Sequence, residues 1–212
     1  MLGANDGIVS TASLIVGVAA SDASRASVLL AGVAALFAGA LSMAAGEYVS
    51  VSSQADTERA DLDREMRELE QDSAFERREL IGIYERRGVD TATATSVAEQ
   101  MMKQDALGAH ARDELGLSDA MSPRPLQAAA TSALTFTAGA AAPLVIVPFV
   151  PMNLLVPAVG SVSLLCLATL GAAGAKAGGA PVVRSVLRVT FWGAAAMLVT
   201  AAVGRLFGTA VS

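Results

Sequence analysis

Two pairs of glutamates, each in an E-x-x-E pattern, have the residue type and spacing best suited to chemistry in this chain. Residues three apart on a helix share a face, so each pair would present two carboxylates side by side. Neighbouring carboxylates repel each other unless they are protonated or bridged by a cation, and such a face is therefore costly when nothing is bound. The pairs are Glu65 with Glu68 and Glu76 with Glu79.

A third element lies further along the chain, where His110 and Glu114 are spaced i, i+4 on a predicted helix, with Asp113 between them. Carboxylate oxygens combined with one imidazole nitrogen suit hard or borderline divalent ions such as Mn²⁺ and Fe²⁺. The spacing therefore predicts a metal-binding surface. Its candidate ligands are Glu65, Glu68, Glu76, Glu79, His110, Asp113 and Glu114.

The same residues also fit a simpler interpretation. Acidic and basic residues interleaved on a helix usually form a solvated face with salt bridges. Four arginines are close enough in sequence to pair with the glutamates, and the E-x-x-E pattern alone is a weak signal. Both interpretations stay open from spacing alone. The arginines are Arg64, Arg67, Arg77 and Arg78.

Charge is distributed very unevenly along the 212 residues. Hydrophobic residues make up 53% of the sequence and charged residues only 17%, whereas about a quarter of the residues of a soluble domain are usually charged. Residues 51–122 contain 17 acidic and nine basic residues, which leaves the remainder strongly apolar. This pattern predicts a membrane-embedded part and one acidic, water-exposed part.

Five apolar stretches are long enough to cross the roughly 30 Å hydrocarbon core of a bilayer as helices. They are Leu2–Ala20, Ala26–Ser50, Leu126–Val147, Asn153–Ala175 and Val189–Ala210. We interpret the first as a span rather than a cleaved signal peptide, because no basic residue precedes it and Asp6 lies within it. The chain begins inside this apolar run, so we expect a preceding N-terminal segment.

The acidic segment is predicted to form three helices. Gln54–Glu70 contains no Pro or Gly, and Ser73–Glu76 fits a capping box, which predicts a second helix that starts at Ser73. Gly88 is predicted to end that helix, and a third helix to run from Thr93 to Leu115. The predicted fold class is an all-α membrane protein, with five transmembrane helices and a three-helix domain inserted between the second and third. The segments are 1–50, 51–122 and 123–212.

Basic residues in short loops predict the orientation in the membrane. The predicted loop between the fourth and fifth spans contains Lys176, Arg184 and Arg188, and Arg124 precedes the third span. The connection Pro148–Met152, on the opposite side, carries no charge. The acidic segment is therefore predicted to lie in the cytoplasm.

Two acidic residues, Asp6 and Glu47, fall within the predicted spans. Such residues typically face a bundle interior, a pore or a proton relay, because a carboxylate in lipid is costly. Met43 precedes Glu47 by one helical turn, so that a thioether and a carboxylate share a face. These three residues could form a transient cation site. Both acids also lie near one membrane interface, where a carboxylate reaches water, and this alternative stays open.

Other function classes are disfavoured by the sequence. No nucleophile–base pair, phosphate-binding loop or cofactor fingerprint is visible, and a single histidine offers little acid–base chemistry, so we predict neither an enzyme nor a prosthetic group. A net charge of −5 without a basic patch disfavours nucleic acid as a partner. The single cysteine, Cys166, excludes a disulfide framework within the chain.

The order of several motifs resembles the vacuolar iron transporter family across essentially the whole chain. The motifs are Asn5–Gly7, Ala38–Met43, Ser53–Asp56, Asp113–Leu117 and Pro143–Pro148. The resemblance implies a five-span homodimer that moves Fe²⁺, and often Mn²⁺, out of the cytoplasm in exchange for protons. A bacterial-type member would lie in the plasma membrane, with its acidic domain gathering metal in the cytoplasm.

Residue roles follow from the same resemblance. The two E-x-x-E pairs and Glu114 match glutamates of the family's metal-binding domain, while Asp6 and Met43 match its transport path. Two positions depart from the family pattern. Ala35 stands where plant-like members have a glutamate, for which Glu47 is a candidate substitute, and His110 with Ala111 replaces a Met-Glu pair.

A second hypothesis belongs to another class: a membrane-anchored metal sensor or scaffold that transports nothing. In such a protein the acidic domain would bind metal or a partner helix, and the spans would serve only as an anchor. An anchor needs no carboxylates in its spans, so Asp6 and Glu47 favour transport over this alternative.

Overall fold

The computed structural model describes residues 1–117 and 123–211, and within these residues all regular secondary structure is helical. The chain divides into two compact units, one formed by Met1–Tyr48 with Leu126–Ser212 and the other by Val49–Pro125. The predicted end of the acidic segment, Ser122, lies outside the described residues. The helices are α1 (Leu2–Ala19), α2 (Arg25–Gln71), α3 (Ser73–Arg86), α4 (Thr91–Asp113), α5 (Pro125–Val145), α6 (Met152–Ala177) and α7 (Val182–Val211).

Five of the described helices, α1, α2, α5, α6 and α7, are long and apolar enough to cross a membrane. The predicted number of spans is therefore confirmed, and so is the all-helical class. Hydropathy identifies these helices well because each must cover the hydrocarbon thickness with side chains that lipid tolerates.

Helix α2 does not end where its apolar stretch ends. It continues through 47 residues, and the predicted end at Ser50, with a separate helix starting at Gln54, was wrong. After Gly46 the sequence contains no Pro or Gly up to Gln71, so no residue interrupts the backbone hydrogen bonds. A helix can therefore pass from an apolar to a charged sequence without a break in its backbone hydrogen bonds.

The connection between the fourth and fifth spans is also shorter than predicted. Helix α6 ends at Ala177 and α7 begins at Val182, with Gly179 at a positive φ of 65° in the tight turn between them. Arg184 and Arg188 therefore lie on the first turns of α7 rather than in a loop, and the predicted start of this span at Val189 was wrong.

Helix α1 packs against α5 and α7 through glycines that permit close backbone contact. A Cβ atom at Gly7 would overlap the carbonyl oxygen of Phe136 in α5, and one at Gly139 would overlap that of Ala4. On another side of α1, a Cβ at Gly204 of α7 would overlap the carbonyl oxygen of Gly17. Small residues of this kind let helices approach closely in lipid, where dispersion drives packing.

Arg25, at the start of α2, holds the connection between α5 and α6. Its Nη1 donates to the carbonyl oxygens of Val147 at 2.9 Å and Pro148 at 2.6 Å, and its Nη2 donates to that of Val150 at 2.8 Å. These carbonyls follow the end of α5, where helical hydrogen bonding has stopped. The guanidinium therefore replaces the hydrogen bonds that the helix end leaves unmade.

The glycine contacts give a testable prediction. Gly7→Ala should destabilise the protein by about 1–3 kcal/mol, because the new methyl group overlaps the α5 backbone. Gly160→Ala, in α6, is a matched control: its Cβ meets nothing within 4 Å, so stability should stay the same or rise by up to roughly 1 kcal/mol. Thermal unfolding in detergent measures both variants, and equal stability of the two would contradict the close α1–α5 contact.

Candidate metal centre

Four of the predicted metal ligands meet in the unit Val49–Pro125. Glu65 comes from the last turns of α2, Glu76 from the first turn of α3, and His110 and Glu114 from the end of α4. Each offers one ligand atom, and the four atoms lie within 4.8 Å of one another. Three separate helical segments thus place three carboxylates and one imidazole around a single point.

The imidazole lies at the middle of this group. His110 Nδ1 is 3.0 Å from Oε1 of Glu65, 2.9 Å from Oε2 of Glu114 and 4.0 Å from Oε2 of Glu76. Glu65 is only 1% exposed, His110 is fully buried and Glu76 is 4% exposed. The Glu114 side chain remains partly open to solvent, so the group has one accessible side.

The break between α2 and α3 brings Glu76 to the group. Asp72 leaves the helical conformation, and its side chain accepts a hydrogen bond from the backbone N–H of Phe75 at 2.9 Å. Asp72 is therefore the N-cap of α3. The helix begins at Ser73 as predicted, although the capping-box pattern had suggested Ser73 itself as the cap. The two E-x-x-E pairs therefore lie on different helices, because the helical backbone is interrupted at Asp72.

Burial and mutual repulsion perturb the carboxylates. Burial, followed by the charge of Glu114, raises the pKa of Glu65 from 4.5 to about 7, and the His110 imidazole offsets only part of this rise. Burial, followed by the charge of Glu79, also raises the pKa of Glu76. Both shifts have the physical causes expected where like charges share a low-dielectric site.

The donor set fits a divalent cation. Oε1 of Glu65 is buried and forms no hydrogen bond of good geometry with the described residues, although His110 Nδ1 lies 3.0 Å away, so its lone pairs can serve a cation. Three carboxylates and one nitrogen match the ligand preferences of Mn²⁺ and Fe²⁺. A divalent ion would also offset the repulsion that raises the pKa of Glu65 and of Glu76.

The second member of each E-x-x-E pair lies beside the group rather than in it. Glu68 and Glu79 line an open cleft of about 400 Å³ together with Glu76 and Glu114. Two of the four arginines expected to neutralise these pairs have other acidic partners: Arg64, which also lines the cleft, forms an ion pair with Asp61 at 2.9 Å, and Arg77 pairs with Glu99 at 2.8 Å. The cleft therefore presents a strongly acidic approach to the buried ligands.

The structure does not bring Asp113 into the group. Its Oδ2 accepts a hydrogen bond from Tyr84 Oη at 2.9 Å, its Oδ1 pairs with Arg87, and its carbonyl oxygen accepts from Arg87 Nη2 at 2.8 Å. These contacts outweigh the effect of burial and lower the pKa of Asp113. Asp113, predicted as a ligand, therefore lies outside the four-residue group, because its oxygens face Tyr84 on α3 and Arg87 just beyond the end of α3.

The predicted transport-path residues lie in the other unit. Asp6 and Met43 line one cavity of about 400 Å³, together with Asn5 of α1 and Arg188 and Trp192 of α7. Glu47 is not among the lining residues; it lies exposed on α2, one turn beyond Met43. The geometry thus brings Asp6 and Met43 together and leaves Glu47 outside their cavity.

Comparison with known proteins agrees with this arrangement. Residues 1–205 match the model of the VIT family. The chain belongs to the VIT family. The vacuolar iron transporter of Acanthamoeba castellanii (strain ATCC 30010 / Neff) is 49% identical over 210 residues, which cover 99% of this chain and 77% of that protein. Vacuolar iron transporter homolog 1 of Oryza sativa subsp. japonica is 41% identical over 209 residues, covering 98% and 72%.

The match extends to a plant relative of lower identity. Vacuolar iron transporter homolog 2 of Arabidopsis thaliana is 36% identical over 209 residues, covering 98% of this VIT-family chain and 82% of that protein. The family predicted from the order of motifs is thereby confirmed. The matched length includes both compact units, so the acidic insertion and the spans belong to one family architecture.

Two residues of the cavity around Asp6 in this VIT-family member are not among the predicted transport-path residues. Arg188 was assigned to a loop and Trp192 was assigned no role, yet both line the cavity. Their i, i+4 spacing could have placed them on one helix face, but only if α7 had been predicted to start before Val189. The early start escaped notice because two arginines lower the hydropathy of its first turns.

The raised pKa of Glu65 gives a prediction about stability. The folded chain keeps a proton on Glu65 up to about pH 7, whereas the unfolded chain releases it near 4.5. Between these values unfolding releases a proton, so raising the pH favours unfolding. The metal-free wild type should therefore lose stability relative to Glu65→Gln as the pH rises through this range, and the difference should stay constant above it.

Thermal unfolding with a chelator, from about pH 5 to about pH 8, measures this difference. The Gln side chain does not titrate, so it isolates the contribution of Glu65. Added Mn²⁺ should stabilise the wild type most at the high-pH end, where the carboxylates are ionised. A difference between the two proteins that does not vary with pH would contradict the raised pKa.

Proposed function

We propose that this protein transports divalent iron or manganese across a membrane, out of the cytoplasm, and that its acidic unit captures the ion. The observation that carries the proposal is the meeting of Glu65, Glu76, His110 and Glu114 within 4.8 Å. Membership of a family whose members include vacuolar iron transporters supports it. Fe²⁺ and Mn²⁺ are the proposed cargo, because their ligand preferences fit three carboxylates with one nitrogen.

The centre is suited to capture and release rather than permanent storage. Glu114 remains partly open to solvent and borders the acidic cleft with Glu68 and Glu79, so an ion has a route in and out. Protons compete with the metal because the pKa of Glu65 is about 7. Ions are thus bound when the carboxylates ionise and released when they are protonated.

The transport path is proposed to run through the cavity lined by Asp6 and Met43. A carboxylate and a thioether form a mixed hard and soft pair, which favours transition metals over Ca²⁺ and Mg²⁺. Glu47, one turn beyond Met43 on the exposed face of α2, is proposed as a second carboxylate of the path. Metal that displaces protons from these groups would couple export to proton entry, which makes the protein an antiporter.

Orientation and localisation follow from the basic residues of the spans. Arg124, Lys176, Arg184 and Arg188 lie at the ends that we assign to the cytoplasm. Arg25 lies at the opposite end of its span, but its guanidinium is engaged by three carbonyl oxygens. We therefore propose that the acidic unit is cytoplasmic and that the protein lies in a bacterial plasma membrane.

The proposed partners are the bilayer, protons and a second copy of the chain. Large apolar side chains on α2 are exposed, and they need lipid or protein around them. A homodimer, as the family resemblance implies, would cover part of this face, and lipid the remainder. The exposed residues include Leu30, Val33, Phe37 and Leu41.

Metal flux into liposomes tests the proposal directly. The full chain is reconstituted around a trapped metal-sensitive dye, and Fe²⁺ and Mn²⁺ are added outside. We expect flux that is lost in an Asp6→Ala/Glu47→Ala double variant, while Mn²⁺ binding to the acidic unit is kept. If the wild type binds metal but moves none, transport is contradicted, and a membrane-anchored metal sensor becomes the better description.

A single substitution tests the role of Glu47. Glu47→Gln should abolish transport while metal binding in the acidic unit is unchanged, because it removes a charge from the proposed path alone. Glu58→Gln is a matched control, since Glu58 is a partly exposed carboxylate on the same helix and lies outside the proposed path. Normal transport by Glu47→Gln would exclude this residue from the path.

A further inference from the structure

Helix α4 is two helical segments rather than one. Asp105 has a φ of −161° and a ψ of 89°, which are not helical values. Its Oδ1 accepts a hydrogen bond from the backbone N–H of Gly108 at 2.9 Å. A side-chain oxygen that accepts from the N–H three residues later is the arrangement of an N-cap. Asp105 therefore ends one segment and starts another, residues 106–113.

Gly108 is part of the same capping arrangement. A Cβ atom at this position would overlap the carboxylate of Asp105, so a side chain at residue 108 would force that carboxylate to turn away from its present position. Asp followed three residues later by Gly is visible in the sequence, but the surrounding residues favour helix and predict a single continuous one. The interruption therefore depends on the side-chain chemistry of Asp105.

The segment 106–113 carries the only histidine of the chain into the metal centre. Ala109 packs with Leu80 and Ile83 in the apolar cluster of this unit, and His110 next to it is fully buried beside Glu65. Two helical turns are too short to be stable alone. The position of His110 therefore depends on what holds the ends of the segment.

Both ends are held by aspartates. At the start, Asp105 caps the backbone at Gly108. At the other end, Asp113 accepts from Tyr84 and pairs with Arg87, both next to or within the last turn of α3. The start of the segment is thus stabilised by its own cap, and its end is held by contacts with Tyr84 and Arg87. His110 lies between these two points.

We propose that Asp105 is a positioning residue of the metal centre: by capping the segment 106–113 it directs the His110 imidazole toward Glu65 and Glu76, so that nitrogen joins the carboxylates as a ligand. This inference rests on the proposed capture of divalent metal by the same group. Asp105 does not itself belong to the four-residue group, so its effect on metal binding is indirect.

The chain offers a matched control in Asp90. Asp90 is the N-cap of the first segment of α4 and accepts from the backbone N–H groups of Ala92 and Thr93, both at 3.1 Å. It uses the same chemistry as Asp105 but lies at the opposite end of α4 from His110. Loss of either cap should cost comparable stability, and only loss of Asp105 should disturb the imidazole.

The experiment uses Mn²⁺ and the full chain, purified in detergent without a histidine tag. Electron spin echo spectroscopy of bound Mn²⁺ detects a directly coordinated imidazole nitrogen, and His110 is the only possible source. A Mn²⁺ titration gives the affinity of each variant. We expect a nitrogen signal in the wild type. The Asp105→Ala variant should lose this signal and bind Mn²⁺ about tenfold or more weakly.

Further variants separate positioning from general destabilisation. Asp90→Ala should keep the nitrogen signal and an affinity within about twofold of wild type, since distant sites act independently. Asp105→Asn should restore both, because asparagine is an equally good N-cap. Gly108→Ala should resemble Asp105→Ala, because its methyl group displaces the cap carboxylate.

The outcomes distinguish this inference from the function on which it rests. If Asp105→Ala and Asp90→Ala behave alike, the positioning role is overturned while metal capture stands. If the wild type binds Mn²⁺ without a nitrogen signal, His110 is no ligand, and the inference fails while capture by carboxylates survives. If the wild type binds no Mn²⁺, both the inference and the proposed capture site are overturned.

Discussion

The repulsion among three carboxylates held around one imidazole is the constraint on which the acidic unit depends. Ligand atoms of Glu65, Glu76 and Glu114 lie within 4.8 Å of one another, and burial followed by the charge of Glu114 raises the pKa of Glu65 to about 7. The unit maintains this arrangement with specific features of its helices: the cap at Asp72, the interruption at Asp105 and the anchoring of Asp113. Each feature opposes the tendency of the glutamates to separate.

The membrane unit depends on a different interaction, the close contact of helix backbones. Lipid tails are as apolar as leucine, so helices gain little from hydrophobic burial against each other and must gain from close packing. Glycines let α1 approach α5 at Gly7 and α7 at Gly204. The same helix carries Asp6 into the cavity shared with Met43. Tight packing around α1 thus fixes the position of a charged side chain that the surrounding lipid would otherwise disfavour.

Hydropathy and spacing predicted much of this protein, and the failures have physical reasons. The number of spans agrees with the prediction, and four of the seven candidate ligands lie together, because membrane thickness and helical periodicity act along the chain itself. Sequence spacing could not distinguish Asp113 from His110 and Glu114, since its partners Tyr84 and Arg87 lie at the end of another helix and just beyond it. The end of α2 at Gln71 was missed because hydropathy reports the surroundings of a helix and not its continuity.

A transporter must bind its cargo well enough to collect it and weakly enough to release it, and the geometry of the proposed capture centre suits both needs. Burial of Glu65 and His110 strengthens their attraction to a cation, because the local dielectric is low. The same burial raises the pKa of Glu65 to about 7, so protons compete with the metal near neutral pH. Glu114, partly open to solvent, gives an entering or leaving ion a ligand that can exchange with water. One set of side chains can therefore capture the ion and remain sensitive to the protons proposed to drive its release.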